Sequence, residues 1–160
     1  MSKPLDEVDR RIIDQLQEEG RRPFTRIARD VGVSEANVRQ RVAALTERGV
    51  IQIVAATSPI ALGMIQAFIS VRLSGAGLEE ASERIAAIPE VDYVAVCTGP
   101  TDLLVGAVCR DNQHLLEVVT HGIRQVPGVV ETDTAVILSE LKDSYRFSEA
   151  TLARPEDETS

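Results

Sequence analysis

The back half of the chain carries a fixed order of strand-like and helix-like apolar patterns. Alternating or short continuous apolar runs predict strands, and apolar residues at helical spacing predict amphipathic helices. The predicted segments are strands over 64–73, 91–97, 102–109 and 132–141, and helices over 78–88 and 112–126. The order β-α-β-β-α-β is that of a ferredoxin-like domain, in which two helices cover one face of a four-stranded antiparallel sheet. We therefore expect an α+β domain over residues 66–142.

The strands of this domain are apolar on both faces. The runs "DLLVGAV" and "AVIL" are nearly continuous, whereas a strand with one solvated face alternates between apolar and polar residues. Because only two helices are available, they cover one face, and the other face would expose an apolar patch too large for a monomer. We expect that face to be buried against a second copy of the chain in a homodimer.

Three helices are predicted in the front part of the chain, residues 1–56. The first begins at the N-cap Asp6, the second spans 24–31 and ends at Gly32, and the third begins after the cap Ser34 and ends at Gly49. A short helix, a glycine turn and a capped third helix have the spacing of a helix-turn-helix motif.

The remaining segments are a strand, a linker and a tail. The run "VIQIVAAT" (50–57) predicts a strand that would give the helix-turn-helix domain a wing. Pro59 and Gly63 mark a linker over 57–65. Residues 143–160 are acidic and predicted to be disordered, although Tyr145 and Phe147 could pack onto a neighbouring molecule.

Charge is distributed unevenly along the chain, whose formal net charge is −8. Between residues 21 and 48 seven arginines face only three carboxylates, and the acidic excess lies mainly from Glu79 onward. A locally basic front indicates a partner with negative charge, and the helix-turn-helix spacing indicates that this partner is double-stranded DNA.

The third helix of the front domain has an outer face suited to DNA. Val38, Val42 and Leu45 define its inward face. The outward and flanking positions of its first turns are Ala36, Asn37, Arg39 and Gln40. Small and hydrogen-bonding side chains at the N-terminal end suit a helix that enters the major groove. Arg41 lies on the flank, where it could contact either a phosphate or a structural carboxylate.

Catalytic and metal chemistry find little support in the sequence. No Ser–His–Asp or Cys–His pattern and no phosphate-binding loop is evident, so we expect no enzyme, no catalytic residue and no cofactor. His114, Glu117 and His121 share one helix face, but their spacing favours a solvated surface over a metal site. Cys97 and Cys109 are expected to be buried apolar residues. Without a signal peptide or a membrane span, we expect a cytoplasmic protein.

The chain resembles the Lrp/AsnC family of prokaryotic transcriptional regulators over residues 5–142. The resemblance rests on "LDEVDRRIIDQLQEEGR" (5–21), "IARDVGVSEANVRQRVAALTERGVI" (27–51) and "CTGPTDLLVGAV" (97–108). It implies a winged helix-turn-helix DNA-binding domain followed by a ferredoxin-like regulatory domain, the RAM domain. It also implies dimers that often assemble into octamers, and a response to an amino acid or a related small metabolite.

The resemblance and the helical geometry together give two sets of site residues. Those expected at DNA are Arg21, Arg22, Thr25, Ser34, Ala36, Asn37, Arg39, Gln40 and Arg41, of which Ser34 and Arg41 match the family motif. Those expected at the effector are Thr98, Gly99, Thr101 and Asp102 in one turn, with Thr132 and Thr134 on the last strand.

The turn could bind an amino acid through its backbone and its carboxylate. Its N–H groups would receive the ligand carboxylate, and Asp102 would accept from the ligand amino group. Pro100 removes one of those N–H donors, and Asp102 could instead cap the turn. The alternative function is a ligand-binding or oligomerisation module without DNA activity, which would not retard duplex DNA.

Overall fold

The computed structural model describes residues 4–75 and 77–144, which cluster into two compact units. Residues 4–56 and 142–144 belong to the first unit, and residues 57–141 belong to the second. Tyr145, Phe147 and the rest of the predicted tail from 145 onward lie outside the described residues. No helix in the described ranges is long and apolar enough to cross a membrane.

The first unit contains three helices, α1 (Glu7–Glu18), α2 (Phe24–Val31) and α3 (Glu35–Glu47). Asp6 accepts the Asp9 N–H at 2.8 Å while the Asp9 carboxylate accepts the Asp6 N–H at 3.3 Å, which forms a capping box at the start of α1. Gly32 ends α2 with a φ of 82° in the left-handed region, and the Ser34 hydroxyl caps α3. The predicted helix starts and stops are thus confirmed.

The core of the first unit forms where the three helices meet. Each helix contributes a stripe of apolar side chains at helical spacing. The buried residues of this core are Ile12, Leu16, Ile27, Ala28, Val31, Val38, Val42 and Leu45. The predicted inward face of α3, with Val38, Val42 and Leu45, is therefore correct, and its opposite face is left open.

The strand predicted over 50–57 is wrong for this chain. Residues 51–58 have no regular secondary structure, and although Ile51 packs against the core, Val54 is 73% exposed. A β-strand needs a neighbouring strand to pair its backbone groups, and the described part of this unit supplies none. The described residues therefore form a helix-turn-helix without a strand-built wing.

The second unit has the expected ferredoxin-like topology. Its strands pair antiparallel in the order β2-β3-β1-β4. The elements are β1 (Ile65–Leu73), α4 (Leu78–Ala86), β2 (Val91–Val96), β3 (Leu103–Cys109), α5 (Asn112–Glu117) and β4 (Val129–Val136). A π-helical turn (Val118–Gly122) and a 3-10 turn (Ile123–Gln125) continue α5, so the predicted helix over 112–126 is present but is not one regular α-helix.

The core of the second unit lies between one face of the sheet and the helices. Alternate residues of the two central strands, β1 and β3, point into it. Its buried residues from the strands are Ala67, Ile69, Val71, Leu103, Val105, Ala107 and Cys109, and those from the helical segments are Ile85, Leu115, Val118, Val119 and Ile123. The helix-facing side of the sheet is therefore fully apolar at its centre.

The opposite face of the sheet is apolar only in part. Phe68, Leu104 and Val108 alternate with the core residues of β1 and β3 and so lie on this face. Toward the end of β1 the face becomes polar, since Arg72 forms an ion pair with Glu131 of β4 at 2.8 Å. The expectation that this face is apolar throughout is therefore wrong. Apolar and polar residues alternate along β1 and β4, whereas β3 is apolar along its whole length.

The bounds of β4 differ from the sequence prediction of 132–141. The strand begins at Val129, opposite Leu73, and ends at Val136, opposite Ala67 near the start of β1. The Ile137 N–H still donates to the Gln66 carbonyl of β1 at 2.9 Å, and beyond it Leu138 and Leu141 are exposed. The length of β4 is therefore set by its partner strand rather than by its own apolar run.

Candidate DNA-reading helix and effector turn

The outer face of α3 is open to solvent. Ala36, Arg39 and Gln40 are exposed, and Asn37 is half-buried. The Arg39 guanidinium lies 5.4 Å from the ring centre of Phe24, so the start of α2 lies beside this face. Two other residues predicted to contact DNA are also exposed, Thr25 on α2 and Ser34, whose hydroxyl is engaged as the cap.

Arg41 contacts carboxylates of α1. Its Nη1 lies 2.7 Å from Asp6 Oδ2 and 2.6 Å from Asp9 Oδ1, and its Nε donates to Asn37 Oδ1 at 2.9 Å. Hydrogen bonds to Asp6 and then to Asp9 raise the pKa of the Arg41 guanidinium. Of the two roles left open by the sequence, the structure shows the contact with structural carboxylates. Arg41 therefore links α3 to the N-terminus of α1.

Arg22 has a similar structural contact. Its side chain is only 15% exposed, and its Nη2 lies 2.7 Å from Asp30 Oδ2 in α2. The hydrogen bond from Arg22 is the main cause that lowers the pKa of the Asp30 carboxyl. Arg21, by contrast, is exposed and has no acceptor within hydrogen-bonding distance in the described ranges. The two adjacent arginines thus differ, with Arg21 available to solvent and Arg22 bound to a carboxylate.

The charge of the first unit is more balanced than the basic stretch suggests. Residues 4–56 contain nine arginines and nine carboxylates, whereas residues 57–144 contain five basic residues and twelve acidic ones. The acidic residues of α1 and the ion pairs of the arginines offset much of the local positive charge. Residues 4–56 therefore carry no net charge, although Arg21 and Arg26 are among the arginines exposed to solvent.

The turn between β2 and β3 has a well-defined backbone. The Cys97 N–H donates to the Asp102 carbonyl at 2.9 Å and closes the turn. Gly99 has a φ of 116°, which side chains other than glycine rarely adopt. Thr98 and Gly99 are both exposed in this turn.

Thr101 and Asp102 are tied to the end of β1. The Thr101 hydroxyl lies 3.0 Å from the Val71 carbonyl, and the Leu73 N–H donates to Asp102 Oδ2 at 2.7 Å. The Asp102 carboxylate therefore caps the end of β1, which differs from the cap of its own turn that the sequence left open. Its other oxygen, Oδ1, has no hydrogen-bonding partner in the part of the chain that the structure describes.

Thr132 flanks the same end of β1 from the other side. Thr132 is paired with Val71, and Thr134 lies two residues further along β4 opposite Ile69. The Thr132 hydroxyl accepts from Arg124 Nε at 2.7 Å. The structure therefore brings the turn and Thr132 to opposite sides of one strand, about 10 Å apart at the usual strand spacing. Sequence reasoning missed Arg124, whose only signal was a basic residue near the end of a helix.

The histidines contact neighbouring side chains, and both cysteines are free thiols. His114 Nε2 lies 3.1 Å from Glu90 Oε1, and His114 Nδ1 accepts the Arg110 N–H at 3.3 Å. Within residues 4–75 and 77–144 no group of three side chains could hold a metal ion. Both cysteines are free; Cys109 is buried, which raises the pKa of its thiol, while Cys97 is only half-buried.

Comparison with known proteins assigns both units. The model of the AsnC-type helix-turn-helix domain matches residues 5–46, and that of the Lrp/AsnC ligand binding domain matches residues 66–147. An HTH-type transcriptional regulator of Pyrococcus horikoshii is 36% identical over 143 residues, 88% of this chain and 90% of the relative. The transcriptional regulator FL11 of the same organism is 33% identical over 146 residues, 90% and 96% of the two chains.

A solved structure that is similar to this chain is also that of a transcriptional regulator. It is a transcriptional regulator of Neisseria meningitidis in complex with L-methionine, with a TM-score of 0.75 and 28% identity over 94% of this chain and all of that one. The chain thus belongs to the Lrp/AsnC family, whose members are transcriptional regulators and not enzymes.

Proposed function

We propose that this regulator reads duplex DNA with the outer face of α3 and that an amino acid or a related small metabolite, bound at the second unit, modulates the reading. The observation that carries the proposal is the exposure of Arg39 and Gln40 on a helix that Arg41 fixes to α1. A helix that is rigidly held and open on one side is what major-groove recognition requires. A protein with this function works where the DNA is, which for a prokaryotic regulator is the cytoplasm.

The residues proposed to contact DNA fall into those that face base edges and those that face the DNA backbone. Arg39 and Gln40 are long hydrogen-bonding side chains suited to base edges, and Ala36 leaves room for close approach. Arg21, Thr25 and Ser34 are exposed near the ends of the helices and suit phosphate contacts. Arg22, Asn37 and Arg41 belong to the same proposed surface but support it through hydrogen bonds and ion pairs within the unit.

The effector site is proposed at the turn from Thr98 to Asp102. The exposed turn at Thr98 and Gly99 would offer backbone N–H groups to a ligand carboxylate, and Asp102 Oδ1 would accept from a ligand amino group. Thr101, Thr132 and Thr134 would complete the site from the neighbouring strands. The Neisseria meningitidis neighbour in complex with L-methionine supports an amino acid as the chemical class.

Self-association is part of the proposal. The partly apolar sheet face around Phe68, Leu104 and Val108 is a surface that a second copy would bury in a homodimer. Two reading helices would then read two half-sites. Assembly of dimers into an octamer is the further step that the family resemblance implies, and sedimentation of the purified chain measures both.

A gel shift with the chain's own upstream region tests this function. The full-length protein should retard the native duplex at lower concentration than a scrambled duplex, and one or more amino acids should change the midpoint. Arg39→Ala should lose the difference between the two duplexes, while Asp102→Asn should keep it and lose the amino-acid response. Equal retardation of both duplexes by the unaltered protein would contradict sequence-specific reading.

A further inference from the structure

Arg39 is held from two sides on the open face of α3. Its Nη2 lies 2.7 Å from Glu35 Oε1, one helical turn earlier, and its guanidinium carbon lies 5.4 Å from the ring centre of Phe24. The distance to the ring is within the range of a cation–π contact. Phe24 itself is half-buried and packs against the core of the first unit, so the ring is a fixed support.

These contacts orient Arg39 without covering it. The Arg39 side chain remains 65% exposed, and Glu35 engages only the Nη2 atom. No other acceptor approaches the guanidinium among the described side chains. Because a guanidinium presents its N–H groups in a planar fork, one pair of parallel donors stays free after Glu35 has bound. A free, pre-oriented fork is the geometry that binds two acceptors at once.

We propose that Glu35 and Phe24 are positioning residues that fix the Arg39 fork for bidentate recognition of guanine. Guanine is the base whose major-groove edge offers two adjacent acceptors, O6 and N7, at the spacing of an arginine fork. Holding the fork in advance lowers the entropy lost on binding and penalises bases that offer only one acceptor. The inference rests on the proposed function, because it requires that α3 enters the major groove.

A simpler role for the Glu35–Arg39 pair would have different consequences. Exposed pairs at i,i+4 stabilise a helix slightly, and a carboxylate near DNA repels phosphates. If the pair served only the helix, removing Glu35 would change the affinity for all duplexes by the same factor. If Glu35 positions Arg39, its removal lowers the ratio of affinities between guanine and the other bases. The ratio is therefore the quantity to measure.

The experiment begins with the full-length protein and a randomised duplex library. Selection should return a site with at least one guanine per half-site whose replacement by adenine weakens binding roughly 5- to 100-fold, as expected for one bidentate contact. Replacing that guanine with inosine, which keeps O6 and N7, should preserve binding. Replacing it with 7-deazaguanine, which lacks N7, should lose much of it.

The variants assign this preference to the three residues. Arg39→Ala should reduce the guanine-to-adenine ratio at that position to about one. Glu35→Gln and Phe24→Leu should each lower the ratio several-fold, and neither should lower it further when combined with Arg39→Ala. Phe24→Tyr, which keeps the aromatic ring, should retain the guanine-to-adenine ratio of the unaltered protein. The matched control is Glu80→Gln in α4 of the second unit. It removes the charge of an equivalent i,i+4 ion pair, in which Glu80 Oε1 lies 2.8 Å from Arg84 Nη2, and it should leave the ratio unchanged.

The outcomes separate this inference from the function on which it rests. If the unaltered protein binds duplexes selectively but tolerates 7-deazaguanine everywhere, or if Glu35→Gln changes all affinities equally, the positioning role is overturned and the regulator function stands. If the unaltered protein selects no duplex at all, both fail. A guanine preference that falls with Glu35→Gln and Phe24→Leu but not with Glu80→Gln supports the positioning role.

Discussion

Replacing Arg41 with methionine should destabilise the first unit, because Arg41 links α3 to the start of α1. The change removes the ion pairs to Asp6 and Asp9 and the hydrogen bond to Asn37. Methionine keeps most of the apolar length of the side chain, so the loss of packing is small.

The magnitude follows from the exposure of the two carboxylates. Asp6 is 45% exposed, so water replaces much of the lost contact, whereas the Asp9 side chain is only 10% exposed and would be left without its cation. A hydrogen bond to a charged group contributes about 1.5–3 kcal/mol, and breaking a buried pair from one side costs somewhat more. We expect Arg41→Met to lower the free energy of unfolding by about 2–4 kcal/mol.

Hydrogen exchange of the α1 and α3 amides measures this loss within the first unit, and urea unfolding followed by circular dichroism measures it for the whole chain. The control is Arg39→Met on the same helix, which breaks a surface pair and a surface cation–π contact and should cost about 1 kcal/mol or less. If Arg41→Met costs no more than Arg39→Met, Arg41 does not anchor the helix and its assignment to carboxylates is wrong.

Three further predictions concern other parts of the fold. Gly106→Ala would place a Cβ 3.0 Å from the Tyr93 Cβ, and this crowding should lower the unfolding free energy by about 1–3 kcal/mol in urea titrations. Arg22 lowers the pKa of Asp30 below 3.8, so the pair stabilises the fold above about pH 4 and this stabilisation is lost as the pH falls through the folded pKa. Asp30→Asn should therefore weaken the acid dependence of stability in that range. Asp102→Asn keeps an oxygen for the β1 amide but loses its charge, so thermal unfolding should stay near that of the unaltered protein while any shift caused by an amino acid disappears.

The parts of the fold that local chemistry determines could be predicted from the sequence. Asp6 and Ser34 cap their helices as expected, since a capping side chain needs only the backbone three residues ahead. Gly32 adopts the positive φ expected after α2. The order of strands and helices in the second unit also followed from apolar periodicity alone, because each element carries its own pattern.

The parts that depend on distant partners could not be predicted. The run over 50–57 has the composition of a strand but finds no partner strand among the described residues, and β4 ends near the start of β1. The ion pair between Arg41 and Asp6 joins residues 35 positions apart, and nothing in either local pattern distinguishes it from a phosphate contact. The support of Arg39 by Phe24 likewise depends on how α2 packs beside α3.

The central claim is that the first unit binds duplex DNA, with α3 at the base edges and exposed cations such as Arg21 at the phosphates. Its most direct test is the salt dependence of binding, measured by fluorescence anisotropy on a selected duplex. With about four phosphate contacts, the affinity should fall roughly 100-fold between about 50 mM and about 200 mM salt, and Arg21→Ala should make that fall shallower. The absence of binding at the lower salt concentration, or an affinity that does not change with salt, would contradict the account.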